Sequence, residues 1–114
     1  MDAMLERLAG YGADMKGAMG RFLDDEDLYK SCFTAFVGDE SFDAIGAALD
    51  AGDYEKAFEC AHTLKGITGN MGLTPLYEVV SSLVEALRGH AYYGLREYYA
   101  AILEQREKLK VLET

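Results

Sequence analysis

The stretch that decides the fold runs from residue 53 to residue 87, DYEKAFECAHTLKGITGNMGLTPLYEVVSSLVEAL. Apolar side chains recur in it at helical spacing in two runs, one on each side of a Thr-Pro pair. The first run predicts a long helix from about Asp53 to Asn70. The second predicts a helix with Thr74 at its N-cap, proline in its first turn and its end near Gly89. The apolar stripe of this second helix consists of Leu76, Val79, Val80, Leu83 and Leu87.

Helical periodicity continues on both sides of this stretch, whereas strand signals are nearly absent. We expect a short first helix, a weaker segment at about residues 14–22, a short helix that ends before the turn at residues 50–53, and a last helix at about residues 91–112. Short connections between amphipathic helices predict an all-α antiparallel bundle. The positions expected to face inward are Met4, Leu5 and Leu8 in the first helix, Phe42, Ile45 and Leu49 in the short one, and Leu95, Ile102 and Leu109 in the last.

The acidic run at residues 24–27, Asp-Asp-Glu-Asp, fits either a metal site or the start of a helix. The helix start is favoured, because carboxylates at that position cap free amides and complement the helix dipole. The helix that follows should end near Gly38. Its inward positions are expected to be Leu28, Cys32, Ala35 and Phe36.

Composition excludes several classes of function. The 114 residues are half hydrophobic, include one proline and carry a net charge of −9, which indicates a single globular domain that repels nucleic acid and anionic membranes. Cys32 and Cys60 are too few for a disulfide framework and too far apart for a metal pair, so we expect buried thiols in a reducing compartment. Neither a membrane span nor a signal peptide is apparent, so a cytoplasmic location is expected.

His62 is the residue that indicates a chemical function. On a helical wheel it faces away from the apolar cluster of the long helix, which consists of Ala57, Cys60, Leu64, Ile67 and Met71. Its own side carries Glu55, Phe58, Glu59, Lys65, Gly66 and Gly69. An exposed imidazole can accept a phosphoryl group, and a lysine one turn later can reach the phosphoryl oxygens. Each glycine inside a helix costs about 1 kcal/mol, so two on an exposed face indicate a docking surface.

Structural explanations compete with this one. A lone surface histidine usually has no function of this kind, and the glycines would also fit helix fraying or the close packing of a neighbouring helix. Phe58 fits the core and a docking contact about equally. The combination of these residues on one helix of an acidic bundle favours the functional interpretation.

The segments 61–66, AHTLKG, and 69–73, GNMGL, closely resemble the histidine-containing phosphotransfer (HPt) domain family. The resemblance covers about residues 22–112 and implies a four-helix bundle, expected over residues 22–114. Residues 1–21 lie outside the strongest resemblance and are expected to form a helical elaboration that caps the bundle. It also implies that His62 is the phosphoacceptor through Nε2, that Lys65 assists and that Gly66 admits the response regulator.

The next helix departs from the family pattern. Family members often place a polar residue there that bonds the other imidazole nitrogen, and its expected position, 84, holds a valine. Ser81 and Glu85 are the nearby polar candidates, and Arg88 lies on the same face as Ser81 and could reach the phosphate.

The expected reaction is the relay of a phosphoryl group between response-regulator aspartates through His62. The partners are receiver domains, with a hybrid histidine kinase as a further candidate, and the Mg²⁺ is expected on the receiver. No nucleotide-binding motif is present, so we expect a monomeric phosphocarrier without autokinase activity and without a cofactor of its own.

The alternative is a helical adaptor that binds a partner through the His62 face without phosphorylation. A metal protein is disfavoured, because His62 and His90 lack the Glu-x-x-His ligand pattern of carboxylate bundles.

Overall fold

The computed structural model describes residues 2–113, which form seven α-helices and no strand. The predicted all-α class is therefore confirmed. The helices are α1 (Ala3–Tyr11), α2 (Met15–Arg21), α3 (Glu26–Val37), α4 (Ser41–Asp50), α5 (Tyr54–Asn70), α6 (Thr74–Arg88) and α7 (Leu95–Leu112). None of the helices within residues 2–113 is long and apolar enough to cross a membrane.

All seven helices bury side chains in one hydrophobic core, and α4 to α7 make the most extensive contacts with one another. α5 packs against both α4 and α6, and α7 packs against both α6 and α4. The inward positions predicted for α1, α4 and α7 are all buried, as is most of the predicted stripe of α6. Burial of these side chains holds α5 in place, because removing each large apolar side chain from water contributes roughly 1.5–3 kcal/mol.

Aspartate caps set the starts of two helices as predicted. The carboxylate of Asp53 accepts a hydrogen bond from the backbone N–H of Lys56 at 3.1 Å, directly after Gly52 has turned the chain with φ of +68°. The carboxylate of Asp25 accepts from the N–H of Leu28 at 2.9 Å, so the acidic run does start a helix.

The inner face of α3 is rotated by one residue from the predicted one: Phe36 is buried as predicted and Cys32 is half-buried, but Leu28 and Ala35 are exposed. Leu28 is 46% exposed. The buried side chains of this helix are instead Tyr29, Phe33, Phe36 and Val37. Both sets have helical spacing, but the second set contains three aromatic rings, and each ring has 150–250 Å² to bury. The larger apolar area therefore decides the rotation of α3.

Two predicted helix starts are also wrong. Thr74 is the first residue of α6 rather than its cap, and its hydroxyl donates to the carbonyl of Gly72 at 3.4 Å. α7 begins at Leu95, four residues after the expected start, because Gly94 adopts φ of +75° and His90 φ of +57° in the loop that precedes it. Such backbone angles end regular helix geometry.

The N-terminal helices touch the core helices at their ends. Arg7 donates from Nε and Nη2 to the carbonyl of Leu112 at 3.1 and 2.9 Å. The N–H of Asp14 donates to the carbonyl of Gly72 at 2.8 Å, and a Cβ at Gly72 would lie 2.5 Å from the carbonyl oxygen of Asp14. With φ of +72° as well, this position requires glycine. The expected domain boundary after residue 21 stays a prediction.

Candidate functional site

His62 lies in the middle of α5 and is exposed. The buried residues of this helix are Ala57, Ala61, Leu64 and Thr68. The buried stripe is therefore centred slightly away from the predicted one, which left out Ala61 and Thr68. Cys60 and Ile67, predicted to face inward, are only half-buried as a result. The Thr68 hydroxyl donates to the carbonyl of Leu64 at 2.9 Å, which allows a polar side chain at that position.

His62 lies at an open cavity of about 470 Å³. Five of its lining residues belong to α5, and α2 and α6 contribute one each; they are His62, Lys65, Gly66, Gly69, Asn70, Arg21 and Tyr77. The structure thus brings His62, Lys65 and both predicted glycines together. It adds Arg21, Asn70 and Tyr77, which sequence reasoning missed.

The two glycines of this cavity differ in their surroundings. A Cβ at Gly66 would meet nothing within 4 Å, so its small size leaves open space beside His62. A Cβ at Gly69 would lie 3.3 Å from Cε2 of Tyr77. Gly69 therefore makes room for a neighbouring helix, whereas Gly66 has no such packing reason to be glycine.

Arg21 fastens α2 to the end of α5. Its Nε donates to the carbonyl of Asn70 at 2.7 Å and its Nη2 donates to the carbonyl of Gly69 at 3.1 Å. These carbonyls lie at the C-terminal end of the helix, where free carbonyl groups carry partial negative charge. The bonds therefore hold a guanidinium at one end of the cavity that His62 lines.

Phe58 lies beside His62. The two ring centroids are 5.6 Å apart with an angle of 32° between the ring planes. The Arg88 guanidinium lies 5.6 Å from the centroid of the Phe58 ring and forms an ion pair with Glu85 at 3.4 Å. Arg88 thus contacts a ring that neighbours His62, and its contact with the phosphate stays a prediction.

The two α6 candidates for orienting the imidazole, Ser81 and Glu85, do not line the His62 cavity. Val84 is buried in the core. Ser81 lines a different cavity together with Glu85 and Tyr93, and its buried Oγ has no hydrogen-bond partner within residues 2–113. Glu59 is exposed and lines none of these cavities. Tyr77 is instead the α6 residue that lines the His62 cavity.

An apolar groove adjoins the site. It has a volume of about 640 Å³ and shares Gly66 and Asn70 with the His62 cavity. Its apolar lining includes Phe22, Phe36, Ile67 and Met71. Gly66 therefore lies where the His62 cavity and the apolar groove meet.

The cysteines contribute no site of their own. Cys32 and Cys60 are free and half-buried, not buried as predicted. No group of three or more His, Cys, Asp and Glu side chains within the described part of the chain is placed to hold a metal ion.

Sequence reasoning missed Arg21 and Tyr77 for a common reason. Each comes from a helix other than α5, and no motif in the sequence marks either residue. Their position follows only from how α2 and α6 pack against α5, which a helical wheel of α5 cannot show.

The molecule is thus an α-helical domain with an accessible histidine on one of its long helices. The Hpt domain family model matches residues 38–110, which is more than half of the chain. The chain belongs to the Hpt domain family, and the resemblance inferred from the His62 motif is confirmed. No curated protein and no solved structure matches the sequence.

Membership of this family sets the general function. Hpt domains are phosphocarriers in the histidine phosphotransfer of two-component signalling, and they interact with receiver domains and histidine kinases. The matched residues 38–110 include His62, Lys65 and Gly66, whereas Arg21 lies outside the match.

Proposed function

We propose that this domain relays a phosphoryl group between the aspartates of receiver domains, with His62 as the phosphoacceptor. One observation carries the proposal. In a chain with a net charge of −9, the exposed His62 lies at a cavity whose lining contains Lys65 and Arg21 and no carboxylate. Such a site attracts an anionic phosphoryl group, while most of the remaining surface repels it.

The phosphoryl group passes from the receiver's aspartate to His62 in one displacement at phosphorus. The lone pair on Nε2 of the neutral His62 imidazole attacks the phosphorus of the receiver's aspartyl phosphate, and the N–P bond forms as the O–P bond breaks. The aspartate leaves as a carboxylate, and the Nδ1 proton of the imidazole passes to water. Onward transfer to a second receiver reverses these steps. Little covalent machinery is needed beyond in-line placement and stabilisation of charge.

Lys65 provides part of the charge stabilisation that the transfer needs. It lies one turn after His62 and lines the same cavity. Its ammonium group contacts the phosphoryl oxygens as a point charge. The Mg²⁺ expected on the partner receiver neutralises further charge during transfer.

Gly66 and the apolar groove form the docking surface for the receiver. Because Gly66 lies where the cavity and the groove meet, a partner that packs into the groove reaches His62 at the same time. The four helices with the most extensive contacts, α4 to α7, form the antiparallel bundle that holds this surface rigid. Phe58, beside His62, is a further contact for the partner.

The domain acts as a carrier and not as a kinase in this proposal. A receiver domain is the phosphoryl donor, and a hybrid histidine kinase is a further candidate partner. We also propose that the domain is monomeric and lies in the cytoplasm, as its sequence suggests.

A labelling experiment tests the relay. The purified protein is incubated either with labelled ATP and magnesium alone or with a phosphorylated receiver domain. Label should appear only with the receiver, in an acid-labile and comparatively base-stable linkage, and chelation of magnesium should stop the exchange. Labelling from ATP alone would refute the carrier assignment. Receiver binding without any labelling would support the adaptor alternative instead.

A further inference from the structure

Arg21 has more hydrogen-bonding capacity than its anchoring bonds use. A guanidinium has five N–H donors, and the bonds to the carbonyls of Gly69 and Asn70 use two of them. The side chain is exposed and lines the His62 cavity. Donors therefore remain for a partner, on a side chain whose position the two anchoring bonds already fix.

Among the described residues Arg21 forms no ion pair, although the carboxylate of Asp14 lies near its Nη1, outside ion-pair distance. None of the ion pairs formed within residues 2–113 involves Arg21 or Lys65. Six other lysines and arginines of this acidic chain do have a carboxylate within ion-pair distance; they are Lys30, Arg88, Arg96, Arg106, Lys108 and Lys110. The two cations of the His62 cavity are thus available to an incoming anion.

Spacing along α5 separates the roles of these two cations. Lys65 lies one turn from His62. Asn70, which anchors Arg21, lies eight residues beyond His62, or about 12 Å along the helix axis at a rise of about 1.5 Å per residue. A phosphoryl group on Nε2 extends only a few ångströms from the ring. The anchored guanidinium of Arg21 therefore lies towards the C-terminal end of the cavity, which favours a second anionic group of the partner over the phosphoryl group as its ligand.

We propose that Arg21 is a docking residue that binds a carboxylate on the surface of the receiver domain and so aligns the receiver's aspartate with His62. This inference rests on the proposed function. The planar fork of arginine matches a carboxylate in a bidentate geometry, which makes this anion the best fit to the free donors. α2 lies outside the residues that match the family, so it adds a partner-selecting contact to the Hpt domain.

Arg7 provides a matched control. It also belongs to an N-terminal helix, and it also donates from Nε and Nη2 to a carbonyl at the end of a core helix, that of Leu112. It does not line the His62 cavity. Arg7→Gln and Arg21→Gln therefore remove similar anchoring bonds, but only Arg21→Gln removes a charge from the site.

The experiment measures phosphoryl transfer from a phosphorylated receiver domain over a range of receiver concentrations, together with the Tm of each variant. Arg21→Gln should raise the KM for the receiver about tenfold with little change in maximal rate, and Arg21→Lys should recover part of this loss. Arg7→Gln should change the KM less than about twofold. The KM difference caused by Arg21→Gln should shrink in about 0.5 M salt, because an exposed charge pair is screened.

Three outcomes would overturn the inference. Equal effects of Arg21→Gln and Arg7→Gln on the KM would show that Arg21 is only an anchor. A lower maximal rate at an unchanged KM would place Arg21 on the phosphoryl group instead. No labelling of the wild-type protein by receivers that label other Hpt domains would refute the proposed function and this inference with it.

Discussion

Substitutions at Gly66 should be able to raise the thermal stability of the domain or lower its rate of phosphoryl transfer. Alanine at this position adds a Cβ that meets nothing within 4 Å, so it introduces no clash. Within a helix, alanine is more favourable than glycine by about 0.8–1 kcal/mol. Gly66→Ala should therefore raise the Tm by roughly 3–5 °C, given the size of this domain. A glycine that lowers stability without a packing reason is what a docking surface would require.

Gly66→Arg tests the docking surface directly. The new side chain would extend into the opening beside His62 without touching the core. Folding should stay intact, whereas transfer from a phosphorylated receiver should fall by about a hundredfold, since misplacing reacting groups by about 1 Å can cost that much. Thermal unfolding and single-turnover labelling measure the two quantities.

Gly10 supplies the control for both Gly66 variants. It lies in α1, and a Cβ there also meets nothing within 4 Å. Gly10→Ala should leave transfer unchanged, and so should Gly10→Arg. The reasoning would be refuted if Gly66→Arg transferred the phosphoryl group at the wild-type rate, or if Gly66→Ala had a lower Tm than the wild-type protein.

Three further perturbations follow from the structure. Gly46→Ala would place a Cβ 2.6 Å from Oη of Tyr99, whose hydroxyl donates to the carbonyl of Phe42 at 2.8 Å, so the free energy of unfolding in urea should fall by about 2–3 kcal/mol. Burial raises the pKa of Tyr11 to about 12, above the unfolded-state value of about 10. The stability that the neutral phenol of Tyr11 contributes is therefore fully present below about pH 10 and is lost as the pH rises towards 12. The urea midpoint should drop over that range, and Tyr11→Phe should flatten the drop. Lys65→Ala should slow maximal transfer about tenfold by removing one charged contact, and an unchanged rate in single-turnover assays would show that Lys65 does not touch the phosphoryl group.

The features predicted well from the sequence are those that depend on neighbouring residues. The exposure of His62 follows from its position on a helical wheel, since apolar residues on the other side of α5 determine which way it faces. The start of α5 follows from Gly52 and Asp53, because a glycine turn and an aspartate cap act within one turn of the chain.

The features predicted badly depend on contacts between distant segments. Two faces of α3 have equal helical periodicity, and the choice between them depends on which rings the other helices can cover. Arg21 enters the His62 cavity because α2 packs on the end of α5, 48 residues away along the chain. Family spacing placed a polar residue near position 84, with Ser81 and Glu85 as the nearby candidates, yet Tyr77 is the α6 residue that lines the cavity. Periodicity and motifs carry no information about such packing.

In the proposed relay, His62 and no other residue accepts the phosphoryl group. The sequence has two histidines, so His90 is a natural control. It is exposed in the loop before α7, where its Nδ1 lies 2.6 Å from the hydroxyl of Tyr92. Because His62 is exposed in the middle of a helix, His62→Gln should change stability by no more than about 0.5 kcal/mol. His90→Gln should cost about 1 kcal/mol, because His90 has a φ of +57° and loses its contact with Tyr92.

The most direct measurement is the acid-labile label that each variant takes up from a phosphorylated receiver domain. The wild-type protein and His90→Gln should be labelled to the same extent, and His62→Gln should remain unlabelled although it is folded. Label on His62→Gln, or its loss from His90→Gln alone, would contradict the assignment of His62 as the phosphoacceptor.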